Sequence, residues 1–460
     1  MIGKLSEFVD KKVHFIGIGG CGMSALAAYL HKHGAVVSGS DCRGTPFMEP
    51  LLHRNIPLYI GHDTEKMPAC DLVIVTPAVK PDNCELQKAV AQNIPIIRRG
   101  EFLGRILSDQ KTIAVAGAHG KTSTAALIAW ILHYAGFAPS ALVGGIMENF
   151  EANFVLQNGS WTVTEADESD GSIKWFSPEI SVILNVDDDH IENYGSTDSM
   201  LAHYRTLVSQ TSGSVILNNT DQVLSCWQSD RIIHFGQRNS FHVDEKTVHY
   251  DSQGVTFVLE HAEMQKRDVF LPVPGRFFVS NFLAAVTACV TAGLTVEQCI
   301  DAAQSFKGVK RRGQDWGCVD GVRIIEDYAH HPTEISAILE VYRRCYSGKI
   351  ACVFQPHRFT RSKQIAPLLA DSFRNADSLI ITDIYSADEH VMQGINGEYV
   401  FQHICQKRAG GCLYISHLND VVEYLEQKKN EFQLIIFMGA GSIGICAKQF
   451  KALLQSMVSI

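Results

Sequence analysis

The chain has 460 residues, of which 46% are hydrophobic and 19% are charged; this supports several buried cores and argues against disorder. Its 40 Lys and Arg and 49 Asp and Glu give a net charge of −9, so nucleic acid is not an expected partner. The sequence contains no run of 18 apolar residues and no apolar signal segment at its start, so we expect no membrane span and no secretion. The 13 cysteines include no Cys-x-x-Cys pair, which favours a cytoplasmic protein with reduced thiols.

Apolar runs and helical patterns alternate along the chain and restart twice. The first series contains strands over 12–18 and 36–41 around a helix over 24–33. The pattern restarts at Thr112 and again at Gly321, and a stretch from about 230 to 275 has alternating apolar residues typical of β-structure. This predicts an α/β protein with three domains, over 1–107, 108–312 and 313–460. We expect a Rossmann-like N-terminal domain, a P-loop-type central domain and a Rossmann-like C-terminal domain.

A glycine-rich turn follows the first predicted strand and opens the first helix. Its sequence is Gly17-Ile18-Gly19-Gly20-Cys21-Gly22-Met23-Ser24. Glycines let the backbone approach a diphosphate, and a helix N-terminus supplies N–H donors. The spacing is one residue shorter than that of dinucleotide-binding loops. The turn alone does not distinguish a nicotinamide, a flavin or a UDP-sugar, and it is also compatible with a tight turn that binds nothing.

A second glycine-rich turn joins the strand at Thr112 to an apolar helix. It reads Gly117-Ala118-His119-Gly120-Lys121-Thr122-Ser123, with Val115 where a standard P-loop has its first glycine. Backbone N–H groups of such a loop surround phosphates, the lysine neutralises them, and the Thr hydroxyl can bind Mg²⁺. The turn therefore predicts a nucleoside triphosphate site.

Acidic residues end two later strands. One cluster runs from Glu165 to Asp170, and the other is Asp187-Asp188-Asp189-His190. The carboxyl ends of parallel strands meet at one edge of a sheet, where the P-loop also lies, so these groups can hold a metal ion. Taken alone, each cluster could equally be a solvated acidic loop.

Two segments of the last third follow predicted strands and carry imidazoles, a carboxylate and guanidinium groups. They are Asp327-Tyr328-Ala329-His330-His331-Pro332 and Gln355-Pro356-His357-Arg358-Phe359-Thr360-Arg361. Two arginines three residues apart at a helix start can form a fork for a carboxylate or a phosphate. A structural role for the histidines is an equally good interpretation of these residues alone.

These motifs together resemble the Mur ligases. The resemblance runs from about Lys11 to about Gly444 and also includes Pro274-Gly275-Arg276 with Asn281, Thr333-Glu334, and Gly439-Ala440-Gly441-Ser442-Ile443-Gly444. It implies an N-terminal domain that binds a UDP-sugar, a central ATPase and a C-terminal domain that brings an amino acid. Within the family, the chain is similar to the branch that uses ATP and Mg²⁺ to join L-alanine to UDP-N-acetylmuramate through an acyl phosphate, in peptidoglycan synthesis.

The resemblance also implies roles for individual residues. The UDP-sugar would bind Gly17, Gly19, Gly20, Gly22, Met23, Ser24 and Asp41. ATP would bind Gly117, Ala118, His119, Gly120, Lys121, Thr122, Ser123 and Asn281. Metal ligands would be Thr122, Glu165 and His190. The catalytic groups would be Lys121, His190, Asp327 and His330. The alanine carboxylate would bind His357, Arg358 and Arg361.

Some residues depart from the family pattern, and alternatives remain. Phe277 and Phe278 stand where the family has His-Asn, which changes the expected adenine contacts. A recycling ligase that attaches a tripeptide to the same sugar nucleotide would share the N-terminal loops. A nicotinamide-dependent oxidoreductase would explain the first glycine turn but not Lys121. A regulator without enzymatic activity would bind ATP and form no product.

Overall fold

A computed structural model describes residues 4–167, 171–187, 194, 196–251, 253–273, 275–387, 389–408 and 410–458. The chain divides into two compact units. The first comprises residues 1–247, 257–270 and 280–307, and the second comprises 248–256, 271–279 and 308–460. Within the described part of the chain, the helices are all too short or too polar to cross a membrane.

The first unit opens with a five-stranded parallel sheet in the order β3-β2-β1-β4-β5. Its strands are β1 (Lys12–Ile16), β2 (Val36–Asp41), β3 (Leu58–Ile60), β4 (Leu72–Val75) and β5 (Ile96–Arg98). The helices around it are α1 (Cys21–Lys32), α2 (Glu49–Leu52), α3 (Cys84–Ala91) and α4 (Arg99–Ile106). The strand order reverses between β1 and β4, which is the arrangement of a doubly wound nucleotide-binding sheet. This confirms the predicted Rossmann-like N-terminal fold.

A seven-stranded sheet follows in the same unit, in the order β12-β11-β10-β6-β9-β7-β8. Its strands are β6 (Lys111–Ala116), β7 (Ser140–Met147), β8 (Ala152–Leu156), β9 (Trp161–Glu165), β10 (Ile180–Ile183), β11 (Ser214–Asn218) and β12 (Ile232–Phe235). Neighbours are parallel except in the hairpin of β7 and β8. The longer helices are α5 (Lys121–Tyr134), α6 (Thr197–Gln210), α7 (Arg276–Thr291) and α8 (Val296–Ala303), and of α7 only residues 280–291 belong to this unit.

Four further strands confirm the β-structure expected between about 230 and 275. They are β13 (His242–Val243), β14 (His249–Tyr250), β15 (Val255–His261) and β16 (Met264–Leu271). In the first unit β15 pairs with β13 and β16, and in the second unit β14 pairs with the start of β15.

The second unit contains a six-stranded sheet in the order β17-β18-β22-β19-β20-β21. Its strands are β17 (Gln314–Val319), β18 (Val322–Asp327), β19 (Ile350–Phe354), β20 (Ser378–Ile381), β21 (Cys412–Tyr414) and β22 (Leu434–Met438). All pairs are parallel except β17 with β18. Its helices are α9 (Pro332–Cys345), α10 (Phe359–Ile365), α11 (Gly397–Cys405), α12 (Leu418–Lys428) and α13 (Ile443–Val458).

One apolar core joins the two sheets of the first unit. Its buried side chains run from Leu5 to Leu224 and include Phe102 of the first sheet's helices and Phe176 beside the second sheet. Helix α4 approaches so closely that a Cβ on Gly104 would lie 2.6 Å from the carbonyl oxygen of Trp175. Continuous packing of this kind transmits displacements, so the loops carried by the two sheets are held at fixed positions within the unit.

Candidate functional site

The first glycine turn lies between β1 and α1, and Asp41 holds its shape. Gly17 has φ +87°, and a Cβ there would lie 2.7 Å from Thr76 Cγ2, so this position requires glycine. The N–H of Gly19 donates to Asp41 Oδ2 at 2.9 Å, and the Thr45 hydroxyl donates to the Gly19 carbonyl at 2.7 Å. Asp41 was predicted to contact a sugar nucleotide. Its buried carboxylate binds the loop, and the contact with the sugar nucleotide stays a prediction.

A cation also stands at this turn. A Cβ on Gly22 would lie 2.9 Å from Nη1 of Arg99, the first residue of α4. The first turn of α1 contains no acidic residue, so the helix dipole and the guanidinium both favour an anion here. Sequence reasoning missed Arg99, for which the only signal was a basic pair at a helix start.

The P-loop joins β6 to α5 and is clamped by a residue from the neighbouring strand. Asn185, just after β10, accepts from the His119 N–H at 2.8 Å and donates to the His119 carbonyl at 3.0 Å. Lys121 Nζ donates to the Gly117 carbonyl at 2.7 Å and to the Ala118 carbonyl at 3.4 Å. The ammonium group therefore lies over the loop, where a bound phosphate would meet it. Asn185 belongs to no motif and was not predicted.

Two of the three predicted metal ligands lie together. The Thr122 hydroxyl donates to Glu165 Oε2 at 3.1 Å, and the N–H of Gly144 donates to Glu165 Oε1 at 2.5 Å. Burial raises the pKa of Glu165, while the Gly144 N–H and the Lys121 ammonium oppose that rise. The third predicted ligand, His190, lies outside the described residues. In the same acidic segment, Asp187 Oδ2 lies 3.0 Å from His119 Nε2.

Asn281 of α7 lies against the P-loop. It is buried, and a Cβ on Gly120 would lie 2.7 Å from its Oδ1. Its Nδ2 has no hydrogen-bond partner in the part of the chain that the structure describes. A donor with this placement suits a nucleotide contact, which is the role that the sequence predicted for it. Phe277 makes packing contacts: its ring lies 4.7 Å from that of Phe278 and packs against the core of the second unit.

In the second unit, Asp327 shapes the loop that carries His330. Its two oxygens accept from the N–H groups of Gly313 at 2.6 Å and Ala329 at 2.7 Å. Burial raises the pKa of Asp327 to about 6, although the Arg312 guanidinium and these N–H groups act against the rise. His330 Nδ1 lies 3.1 Å from the Tyr328 carbonyl.

His357 lies between an aromatic ring and a second imidazole. Its ring stacks on Tyr385 at 5.7 Å and 8°, and the ring of His330 lies 6.1 Å away. Burial, His330, Arg361 and Arg358 lower the pKa of His357 to about 3, so the imidazole is neutral at physiological pH. Arg358 has φ +67°, and its N–H donates to the Tyr385 carbonyl at 2.8 Å. This arrangement can bind a small anion next to a neutral hydrogen-bonding ring; Tyr385 was not predicted.

Family comparisons match the sequence in three consecutive segments. Residues 12–111 match the Mur ligase family catalytic domain, 115–289 the Mur ligase middle domain, and 311–441 the Mur ligase glutamate ligase domain. The chain belongs to the Mur ligase family. The three matched segments of this Mur ligase contain the first glycine turn, the P-loop and the His357 site, respectively.

Similar proteins include curated ligases and solved structures. A UDP-N-acetylmuramate–L-alanine ligase from Desulforamulus reducens is 36% identical over 442 residues, covering 94% of this chain and 96% of the relative. The crystal structure of a UDP-N-acetylmuramate-alanine ligase from Thermotoga maritima matches with a TM-score of 0.84 and 27% identity, covering 97% of this chain and all of that one. A murein peptide ligase from Psychrobacter arcticus shares the fold, with a TM-score of 0.72 and 22% identity over 96% of this chain and 98% of that one.

Proposed function

We propose that this Mur ligase uses ATP to join L-alanine to the lactyl carboxylate of UDP-N-acetylmuramate, with release of ADP and phosphate. The reaction belongs to the synthesis of peptidoglycan precursors in the cytoplasm. One observation carries the proposal most directly. Two glycine-rich turns, one beside the Arg99 guanidinium and one with Lys121, lie in one compact unit, which supports separate sites for a sugar nucleotide and ATP.

The residues of the first unit support activation of a carboxylate. The first glycine turn and Arg99 would bind the UDP diphosphate, and the P-loop would bind the phosphates of ATP. Forming an acyl phosphate brings two anions together, so the step needs fixed positive charge at the transferred phosphoryl group. Lys121 supplies that charge. Asn185 keeps the loop carbonyls and N–H groups in place while the phosphoryl group moves.

The donor set at Glu165 fits Mg²⁺. A Thr hydroxyl and a carboxylate are hard oxygen ligands, the type that Mg²⁺ prefers, and they lie 3.1 Å apart. Thr122 and Glu165 would hold the ion, together with His190 if the predicted ligand set is complete. When bound, the ion supplies charge neutralisation at the phosphates. The Gly144 N–H opposes the rise that burial causes in the pKa of Glu165, and it holds the carboxylate beside Thr122.

The residues of the second unit support binding of the amino acid. Arg358 and Arg361 would bind the alanine carboxylate, since a guanidinium fork matches the geometry of that group. His357 is neutral and can accept a hydrogen bond from the amine, and His330 stands beside it. Asp327 acts on these groups through the backbone of its loop. We therefore propose that residues 1–107, 108–312 and 313–460 bind the UDP-sugar, ATP and alanine, respectively.

The deciding experiment measures phosphate release and amide formation with ATP, Mg²⁺, UDP-N-acetylmuramate and a panel of acceptors. We expect turnover with L-alanine and little with the tripeptide that a recycling ligase uses. Rapid ATP hydrolysis without the sugar nucleotide would contradict the proposal. Preference for the tripeptide would replace it with the recycling reaction.

A further inference from the structure

The hairpin of β7 and β8 packs against the start of α1, where the first glycine turn ends. Asn153 of β8 directs its side-chain amide into that turn. Its Nδ2 donates to the Cys21 carbonyl at 2.6 Å and to the Ser24 hydroxyl at 3.0 Å. Asn153 is 1% exposed and Ser24 is fully buried. A residue of the seven-stranded sheet therefore binds the turn that the five-stranded sheet carries.

A second bond crosses the same interface in the opposite direction. The Cys21 thiol donates to the Val143 carbonyl of β7 at 3.4 Å. Burial, then the charge of Glu165, raises the pKa of Cys21 to about 12, so the group remains a thiol and a hydrogen-bond donor at physiological pH. Cys21 thus bonds to strand β7 through its thiol, and to Asn153 of strand β8 through its carbonyl and, at 3.5 Å, through its sulfur.

These contacts lead directly to the ATP site. Gly144 follows Val143, and its N–H donates to Glu165, which accepts from the Thr122 hydroxyl on its other oxygen. A Cβ on Gly144 would lie 2.9 Å from Glu165 Oε1, so the strand approaches the carboxylate as closely as the backbone allows. The chain of bonds from Asn153 to Thr122 therefore spans both phosphate-binding turns.

The chemistry makes the distance between those turns important. A carboxylate attacks a phosphoryl group efficiently only when the reacting atoms are held about 3–3.5 Å apart and in line. In the proposed reaction the sugar nucleotide is held at one turn and ATP at the other. A change in the offset, which is the position of one turn relative to the other, would therefore displace the reacting atoms by a similar amount. We infer that Asn153, with the Cys21 thiol, is a positioning residue that sets this offset; the inference rests on the proposed function.

A purely structural role explains the Asn153 side chain less well. Its Oδ1 is buried and has no hydrogen-bond partner among the described residues. An unsatisfied buried oxygen destabilises the folded state, and an apolar side chain of similar size would avoid that penalty. We attribute the presence of an amide at position 153 to the hydrogen bonds by which its Nδ2 holds the first glycine turn in place.

The test compares Asn153→Ala with Asn149→Ala, a matched variant of the same hairpin. Asn149 also bridges two segments, but its side-chain hydrogen bonds go to the Ser305 carbonyl at 2.9 Å and from the Lys307 N–H at 2.8 Å rather than to either turn. We expect Asn153→Ala to lower kcat about tenfold or more and to raise the KM for UDP-N-acetylmuramate, with the affinity for ATP unchanged. Asn149→Ala should alter the melting temperature alone.

A second pair of variants covers the case in which Asn153→Ala does not fold. Cys21→Ser keeps a donor toward Val143 and should retain most of kcat, whereas Cys21→Val loses the donor and should lower kcat. Wild-type kcat and KM in Asn153→Ala or, failing that, in Cys21→Val would overturn the inference while the proposed function stands. Absence of turnover by the wild-type chain with ATP, UDP-N-acetylmuramate and L-alanine would overturn both.

Discussion

Lys121 is the residue whose substitution best distinguishes the two proposed nucleotide sites. Its ammonium donates to two carbonyl groups of the P-loop. We expect Lys121→Ala to lower kcat by several powers of ten, because the lost charge acts on the transferring phosphoryl group. Calorimetry should show nearly unchanged affinity for UDP-N-acetylmuramate. Lys246→Ala, at an exposed position of the same unit, is the control, and lost sugar-nucleotide affinity in Lys121→Ala would contradict the site assignment.

Tyr385 supports the proposed amino-acid site through its ring and its carbonyl. The ring stacks on His357, and a Cβ on Gly441 would lie 2.5 Å from its Cγ, so the ring is tightly enclosed. We expect Tyr385→Leu to raise the KM for alanine about two- to tenfold, the equivalent of one aromatic contact. The KM for ATP should not change. Tyr399→Leu removes a ring that packs on His403 at 4.3 Å in the same unit, and it should leave both constants unaltered.

The functional residues that could be predicted from sequence either belong to a recognisable motif or stand at the end of a predicted strand. Lys121, Thr122 and Glu165 are of this kind, and the structure brings Thr122 and Glu165 to 3.1 Å. Arg99, Asn153, Asn185 and Tyr385 were missed because each acts on a loop far away in the sequence. Their contacts depend on which segments fold together, and a single sequence does not contain that information.

At the scale of elements, Glu85 ties helix α3 to strands β1 and β2. The side chain is fully buried, and His14 Nε2 and His62 Nδ1 lie 3.7 and 3.3 Å from its Oε2. The Ser40 hydroxyl also donates to that oxygen, and the Asp63 N–H donates to Oε1 at 3.1 Å. Burial by itself would raise the pKa of Glu85, but His14, Ser40 and the Asp63 N–H outweigh it and lower the pKa from 4.5 to about 2.

This network predicts an acid-dependent loss of stability. A depressed carboxylate pKa stabilises the fold above pH 4.5, and the contribution is lost as the pH falls toward about 2. The lowered pKa contributes about 3 kcal/mol to the free energy of unfolding at pH 7. Glu85→Gln should therefore lower the melting temperature at pH 7, and the melting temperatures of variant and wild type should converge in acid. The control, Glu101→Gln, removes a half-buried i,i+4 ion pair with Arg105. It should lower the free energy of unfolding by less than about 0.5 kcal/mol. Equal pH profiles for Glu85→Gln and the wild type would contradict the assignment.

Elements were predictable where the strand is central and apolar, and less so at sheet edges. The interior strands β1, β4, β6, β10 and β19 are almost entirely buried, so an apolar run reveals them. Edge strands β3, β5, β8 and β17 are short or half-exposed and gave no clear pattern. Strand β1 also ends at Ile16, before the predicted Ile18, because Gly17 leaves the extended region with φ +87°.

For the whole molecule, the two compact units hold different parts of the proposed chemistry. Lys121, Thr122, Glu165 and both glycine-rich turns belong to the first unit, whereas His330, His357, Arg358 and Arg361 belong to the second. In the proposed reaction, activation of the carboxylate would use the first set and attack by the amine would use the second. We therefore expect a variant of the second unit to affect amide formation while leaving activation intact.

Arg361→Ala tests this separation. Loss of one guanidinium from a charge-assisted carboxylate contact costs about 1.5–3 kcal/mol, so we expect the KM for alanine to rise roughly ten- to hundredfold. Arg361→Lys should restore little of the affinity for alanine, because an ammonium lacks the planar two-donor fork.

Hydroxylamine traps an acyl phosphate as the hydroxamate when its nitrogen attacks the acyl carbon and phosphate leaves. Without alanine, Arg361→Ala should therefore yield hydroxamate at close to the wild-type rate. Arg344→Ala, which removes an exposed pair with Glu340 in the same unit, is the control for both measurements. If Arg361 only stabilises its unit, the melting temperature will fall while the KM for alanine stays at the wild-type value.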